Sequence, residues 1–253
     1  MQSDFVPEII NIIGTDTDVG KTVAAAAIAA ERINAGRKVA IYKPTQSGVK
    51  QGEIGDVEFA AALSGAAAFE GVRLDAAMAP VAAAKLENKT LPALQDHAQK
   101  IADLLQKYDT VLVEGAGGVA VDLAKPLSTG TQYQSQNQAD LIALLAEIPG
   151  IKLRSIIIAR SALGTLNHTL LTTEYLRSRS LAVEGVIIGS WPATCDNIAK
   201  TNLETFPELG LPVIGKIPAN TGKNFVVGQD NKIHHSPSEI DGFRAGAPSW
   251  LSL

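Results

Sequence analysis

Apolar residues fall along this chain in short, nearly unbroken runs, set between longer stretches that repeat every three to four positions. The runs are Ile9–Ile13, Val39–Tyr42, Thr110–Val113, Ile156–Ile158, Val186–Ile188 and Val213–Ile214. They are rich in β-branched residues and continuous rather than alternating, which predicts strands buried on both faces. Helical patterns lie between most of them, at Val23–Ala35, Leu94–Leu105, Ala139–Ala146, Asn167–Leu176 and Ile198–Phe206. Strand and helix alternating this regularly predict an α/β fold, a doubly wound and mostly parallel sheet whose strands end along one rim. Alanine blocks at Ala24–Ala30 and Ala60–Ala68 favour helix and let it lie close to a sheet. No linker, repeat or low-complexity tract breaks the pattern, so residues 1–253 read as a single domain. Thr221–Leu253, rich in Gly, Pro, Asn and Ser, is expected to be largely irregular, and Gly65–Pro80 is ambiguous.

Composition narrows the classes. With 22 basic and 26 acidic residues the net charge is −4, which argues against a broad basic surface for nucleic acid and against a polybasic membrane anchor. A hydrophobic content of 46% is too high for a disordered chain. Cys195 is the single cysteine, which excludes an intramolecular disulfide framework and a multi-cysteine zinc site. No apolar run is long enough to span a bilayer, and Met1–Pro7 is polar and acidic, unlike a signal peptide. A cytoplasmic protein is the expectation.

The first strand leads into Gly14-Thr15-Asp16-Thr17-Asp18-Val19-Gly20-Lys21-Thr22, and Val23 continues into an alanine-rich helix. A glycine-containing turn between strand and helix lets backbone N–H groups converge on phosphate oxygens at the helix N-terminus. Asp18, Val19, Gly20, Lys21, Thr22 and Val23 therefore form the candidate nucleotide-binding stretch of a P-loop NTPase-type fold. Lys21 would carry positive charge to the β- and γ-phosphates, and the Thr22 hydroxyl would ligate Mg²⁺. Five residues separate Gly14 from Gly20, where the general pattern has four, so a strict pattern search misses this loop. An acid among phosphate-binding amides repels an anion unless it faces a cation. Asp18 either accepts a hydrogen bond from a substrate amine or caps the turn.

Other residues are predicted on the same rim. Pro44 cannot donate to a sheet ladder, so the second strand should stop there, leaving Lys43 at the rim beside the phosphate loop. Asp56 opens the helical pattern Val57–Leu63 and can serve as its N-cap or face a metal held by Thr22. Glu114 follows a buried strand directly and precedes Gly115-Ala116-Gly117-Gly118. A buried carboxylate without a partner is costly, so Glu114 requires a cation, while the glycines allow backbone to approach a ligand closely. A second helix start follows Ile156–Ile158 at Gly164-Thr165-Leu166-Asn167, a further anion position in which Thr165 and Asn167 can also act as caps. His168 and the pair His234-His235 have no metal-ligand spacing and read as structural.

Four stretches, Gly14–Thr22, Tyr42-Lys43-Pro44-Thr45-Gln46-Ser47-Gly48, Val113–Gly118 and Gly164–Thr169, together closely resemble the dethiobiotin synthetase family, over roughly Ile9 to Asn220. The resemblance implies an ATP-dependent cyclo-ligase that converts 7,8-diaminopelargonate, CO₂ and MgATP to dethiobiotin, ADP and phosphate. One substrate amine captures CO₂ as a carbamate, the γ-phosphoryl group moves to the carbamate oxygen, and the second amine closes the ring by expelling phosphate. By the same resemblance Thr22, Asp56 and Glu114 hold Mg²⁺, an all-oxygen set suited to that cation. Lys21 follows the phosphoryl group and Lys43 neutralises the carbamate. Ser47, Asp18 and Gly117 face the substrate, and Gly115, Ala116 and Gly117 border the nucleotide. A homodimer is implied, with Gly164, Leu166 and Asn167 receiving the carboxylate of a substrate bound mainly to the partner chain.

One departure changes the expectation. Family members often carry Asn-Asp after the strand beginning near Val186, where those side chains read the adenine edge; here Gly189-Ser190 stand there. Without polar groups to be left unpaired by a wrong base, discrimination weakens. The base is then expected to rest on backbone at Gly189, Ser190 and Pro218, Ala219, Asn220. A partitioning-type switch ATPase is the alternative, but those proteins carry a second lysine near the start of the loop, where Thr15 stands here.

Overall fold

The computed structural model of the chain describes residues 5–125, 127–129, 132–222, 226–227, 233–234 and 236–253. Its strands are β1 (Glu8–Gly14), β2 (Val39–Ser47), β3 (Ala67–Leu74), β4 (Thr110–Glu114), β5 (Leu127–Thr129), β6 (Gln132–Gln134), β7 (Lys152–Ala159), β8 (Gly185–Trp191), β9 (Val213–Pro218), β10 (Val226–Val227) and β11 (Ile233–His234). Seven of them form one sheet in the order β3-β2-β4-β1-β7-β8-β9, and every pairing in it is parallel. β5 with β6 and β10 with β11 are separate antiparallel pairs. The helices are α1 (Lys21–Asn34), α2 (Asp56–Ser64), α3 (Pro80–Leu86), α4 (Leu94–Leu104), α5 (Gln138–Ala146), α6 (Thr165–Arg177), α7 (Asn197–Glu208) and α8 (Pro237–Trp250).

The continuous apolar runs of the central strands are buried on both faces because helices cover both, while Val213 and Ile214 of the edge strand β9 are only partly buried. Ile10 and Ile12 of β1 pack in the cluster that contains α1, α2 and α8. Ile9 points the other way, into the layer of α4 and α5, and Ile13 into the layer of α5, α6 and α7. Ala24–Ala30 is buried throughout, as small side chains in the helix–sheet interface require.

Four expectations need correction. The ambiguous Gly65–Pro80 contains β3, an edge strand whose partly exposed pattern lacks the continuous run of the central strands. β2 does not stop at Pro44 but continues to Ser47. Its pairing with β4 ends at Tyr42, and the later residues pair only with β3, so the missing N–H breaks no ladder on the β4 side. Among the described residues of Thr221–Leu253 most are regular: α8 occupies fourteen of them. Ser236 caps that helix, Glu239 answers in a capping box, and Pro237 sits where its missing N–H costs nothing. Phe243 and Ala247, one turn apart, bury its inner face. Asp56 is not an N-cap: Gly55 occupies that position and Asp56 is the first helical residue.

Charge is also buried at the foot of the sheet, the edge where the strands begin. Glu8 is 2% exposed. Its Oε1 accepts from Arg32 Nε at 2.6 Å and from Thr110 Oγ1 at 3.0 Å, while Arg154 Nη1 lies 3.7 Å from Oε2. On the α4 side, Tyr42 Oη and His97 Nδ1 share a hydrogen bond of 2.6 Å. His97 is buried, and burial lowers its pKa to about 4, a shift that the neighbouring Asp96 opposes.

Candidate active site

At the opposite rim a cleft of about 820 Å³ opens between the phosphate loop, the end of β2, the start of α2 and the segment after β4. Its loop wall is shaped by close backbone contacts. A Cβ on Gly14 would lie 2.6 Å from Gly117 O and 2.8 Å from Asp16 O. Gly20 precedes α1 at φ 95° in the left-handed region, and a Cβ there would lie 2.7 Å from Gly189 O. Gly189 is tighter still: its Cβ would lie 2.1 Å from Val19 O. Lys21, 7% exposed, folds back so that Nζ donates to Asp16 O at 2.8 Å. Burial lowers its pKa, and Glu114 counters that shift while Lys43 reinforces it.

Four of the predicted residues meet in one polar cluster. Glu114, the last residue of β4, is fully buried. Its Oε1 accepts from Thr22 Oγ1 at 3.0 Å and from Lys43 Nζ at 2.8 Å, and Lys43 Nζ also donates to Asp56 Oδ2. Glu114 Oε2 is buried and has no hydrogen-bond partner. Burial disfavours the charge on Lys43, but Glu114 and Asp56 outweigh it and hold the ammonium above its ordinary value. Lys43 is thus held as an ammonium between two carboxyl side chains, with the buried Glu114 Oε2 left over.

Asp18, Gly20, Lys21, Thr22, Val23, Lys43, Ser47, Asp56, Glu114, Ala116 and Gly117 all line the cleft. Asp18 is exposed and adopts φ 56°, left-handed backbone in a turn. Val19 is 3% exposed and does not line the cleft. Gly115 lies behind the wall against Gln138, whose Oε1 would be 2.0 Å from a Cβ at that position. Gly189, Ser190 and Pro218–Asn220 do not line the cleft. They form the neighbouring stretch of rim, where Ala219 N donates to Trp191 O at 2.7 Å. Gly164, Leu166 and Asn167 lie at the start of α6, outside the cleft as well. Neither Thr165 nor Asn167 caps that helix; Gly164 is its N-cap at φ 90°, without a side-chain cap bond. His235 lies outside the described residues.

Sequence reasoning missed two contributors. Gln46 Oε1 accepts from Asp56 N at 2.9 Å and so orients the carboxylate end of α2; its role depends on β2 continuing past Pro44, which the sequence did not signal. Ala77, Met78, Ala79 and Pro80 supply the wall facing the phosphate loop, in a segment with no polar signature.

A parallel sheet carrying a phosphate loop at its central strand, with a carboxylate at the end of the neighbouring strand and a lysine on the strand beyond it, defines a P-loop nucleotide-binding protein. The septum site-determining protein MinD of Pyrococcus horikoshii, solved with Mg-ADP, shares this fold with a TM-score of 0.53 at 17% identity, over 96% of this chain and 95% of that one. A family model described as an AAA domain matches residues 9–224. The ATP-dependent dethiobiotin synthetase of Streptomyces avermitilis is 39% identical over 248 residues, covering 96% of this chain and 92% of that protein. That of Streptomyces coelicolor is 37% identical over 247 residues, with the same coverage of 96% and 92%. The chain belongs to the dethiobiotin synthetase family of ATP-dependent ligases.

Proposed function

We propose that this protein catalyses ATP-dependent closure of 7,8-diaminopelargonate and CO₂ to dethiobiotin, with release of ADP and phosphate, as a cytoplasmic homodimer. The observation that supports this best is the rim cluster, in which a buried Glu114 carboxylate keeps one unpartnered oxygen beside Thr22 and Asp56. Among the described residues no three His, Cys, Asp or Glu side chains form a metal cluster. Two carboxylates and a hydroxyl nonetheless suit Mg²⁺, which completes its shell with phosphate oxygens and water. Thr22, Asp56 and Glu114 would hold that ion, whose chemistry is to neutralise charge on the phosphate oxygens.

The chain's own groups account for the rest. Amides of Val19 to Val23 and the Lys21 ammonium hold the phosphates, and binding draws Lys21 from its resting acceptor, Asp16 O. Lys43, kept charged by its two carboxylates, neutralises the carbamate as it accepts the phosphoryl group. Ser47 and Gly117 border the acceptor, and Asp18 offers its carboxylate to an amine. The free amine is itself the nucleophile, so positioning carries most of the rate enhancement. Leu163 and Leu171, 82% and 63% exposed near the start of α6, support a second copy docking there and bringing Gly164, Leu166 and Asn167 to a shared site.

Incubation with the diamine, bicarbonate and MgATP should yield dethiobiotin. ATP turnover that is indifferent to the diamine would instead favour a partitioning-type switch. Base selectivity should be weak, because Gly189 is pressed against Val19 and presents no side chain to a base. Values of kcat/KM for ATP, CTP and GTP should lie close together, and an ATP preference above about 10³, the scale of hydrogen-bond discrimination, would refute this.

A further inference from the structure

The phosphate loop contains two acids, and only Asp18 opens into the cleft. Asp16 is engaged on three sides. Its backbone oxygen accepts from Lys21 Nζ at 2.8 Å, its Oδ1 accepts from Thr17 N at 2.8 Å, and its Oδ2 accepts from Arg160 Nη2 at 2.7 Å. Arg160 stands one residue beyond β7, and the rung Thr15 N to Ile158 O, 3.1 Å, carries the β1–β7 pairing into the loop itself. The guanidinium is therefore mounted on a strand already locked to the loop it holds.

We infer that Arg160 is a positioning residue for nucleotide binding, acting through Asp16: it neutralises a carboxylate that would otherwise repel the phosphates, and it holds the Asp16-Thr17 turn that leads to the Val19–Val23 amides. The inference depends on the nucleotide reading above. It differs from a direct phosphate contact in one respect, because the need for Arg160 should vanish once Asp16 loses its charge. Asparagine at position 16 keeps the oxygen that receives Thr17 N–H, so the turn is retained while the repulsion is removed. Both side chains are about half exposed, so the coupling is modest and sensitive to salt.

The test is a double-mutant cycle on MgADP affinity, measured by calorimetry at low and high salt, with thermal melts to verify folding. Arg160→Gln should weaken binding by about fivefold at low salt and less at high salt. In the Asp16→Asn background the same substitution should change the affinity by less than about twofold. Equal losses in both backgrounds would overturn the inference in favour of direct contact, and no loss from Arg160→Gln in the parent would overturn it outright. Failure of the parent chain to bind MgADP would overturn the nucleotide reading instead. Arg160→Lys, which keeps the charge, should recover most of the affinity, whereas a purely structural role for the guanidinium would not be restored by lysine.

Discussion

Glu8 and Glu114 are both buried glutamates, on adjacent strands of one sheet, and their surroundings differ in a telling way. Glu8, at the foot of β1, has hydrogen bonds from Arg32 and Thr110 to one oxygen and Arg154 beside the other. Glu114, at the head of β4, shares one oxygen between Thr22 and Lys43 and leaves the second without a partner. The first network is complete within the chain. The second leaves an acceptor open beside the cleft. Burial of charge alone therefore does not mark a site; a buried carboxylate that lines a cleft and keeps an unpartnered oxygen does.

The contrast can be broken by substitution at either end. Glu8→Gln leaves three arginines facing a neutral group, since Arg37 also lies 3.7 Å from Oε1. It should cost about 3–5 kcal/mol of stability in urea melts, the range for removing one partner of a buried ion pair, with kcat of the folded fraction unchanged. Glu114→Gln should show the reverse. Turnover should fall by about 10²–10³-fold, the cost of losing a preorganised electrostatic group, while the thermal midpoint moves less than in Glu8→Gln. If Glu114→Gln proves as destabilising as Glu8→Gln, the distinction between the two ends fails.

A smaller effect sharpens the comparison from a third position. His97 is buried neutral, with Nε2 unpartnered and its pKa at about 4 against 6.5 in the unfolded chain. Between those values the unfolded chain binds a proton that the folded one does not, so stability is full above pH 6.5 and declines as the pH falls toward 4. The loss should approach about 3 kcal/mol across that window, and His97→Gln should abolish this part of the slope. A stability profile between pH 4 and 7 that is unaffected by His97→Gln would remove His97 from the account.

The five central strands were legible because burial on both faces demands continuous apolar residues, and the edge strand β9 was legible from its short Val213-Ile214 run. β3 was not, since Ala67–Leu74 is an edge strand, half exposed and interrupted by Gly71. α8 was obscured by Gly242, Gly246 and Pro248, although Ser236-Pro237-Ser238-Glu239 states a helix start plainly. At the rim, Lys21, Thr22, Lys43, Asp56 and Glu114 could be read because each adjoins the C-terminal end of a recognisable strand or the start of a helix. Gln46 and the Ala77–Pro80 wall could not, because their roles depend on β2 running past Pro44 and on β3 pairing beside it.

The extension of β2 has a mechanical consequence. β1, which raises the phosphate loop, is flanked along its length by β7 and over most of it by β4. Lys43, Gln46 and Ser47 project from a length of β2 whose only strand partner is β3, itself a margin of the sheet. A ledge with one strand neighbour perturbs fewer ladders than a spine with two, so substitutions at Lys43, Gln46 and Ser47 should disturb the sheet less than those in β1.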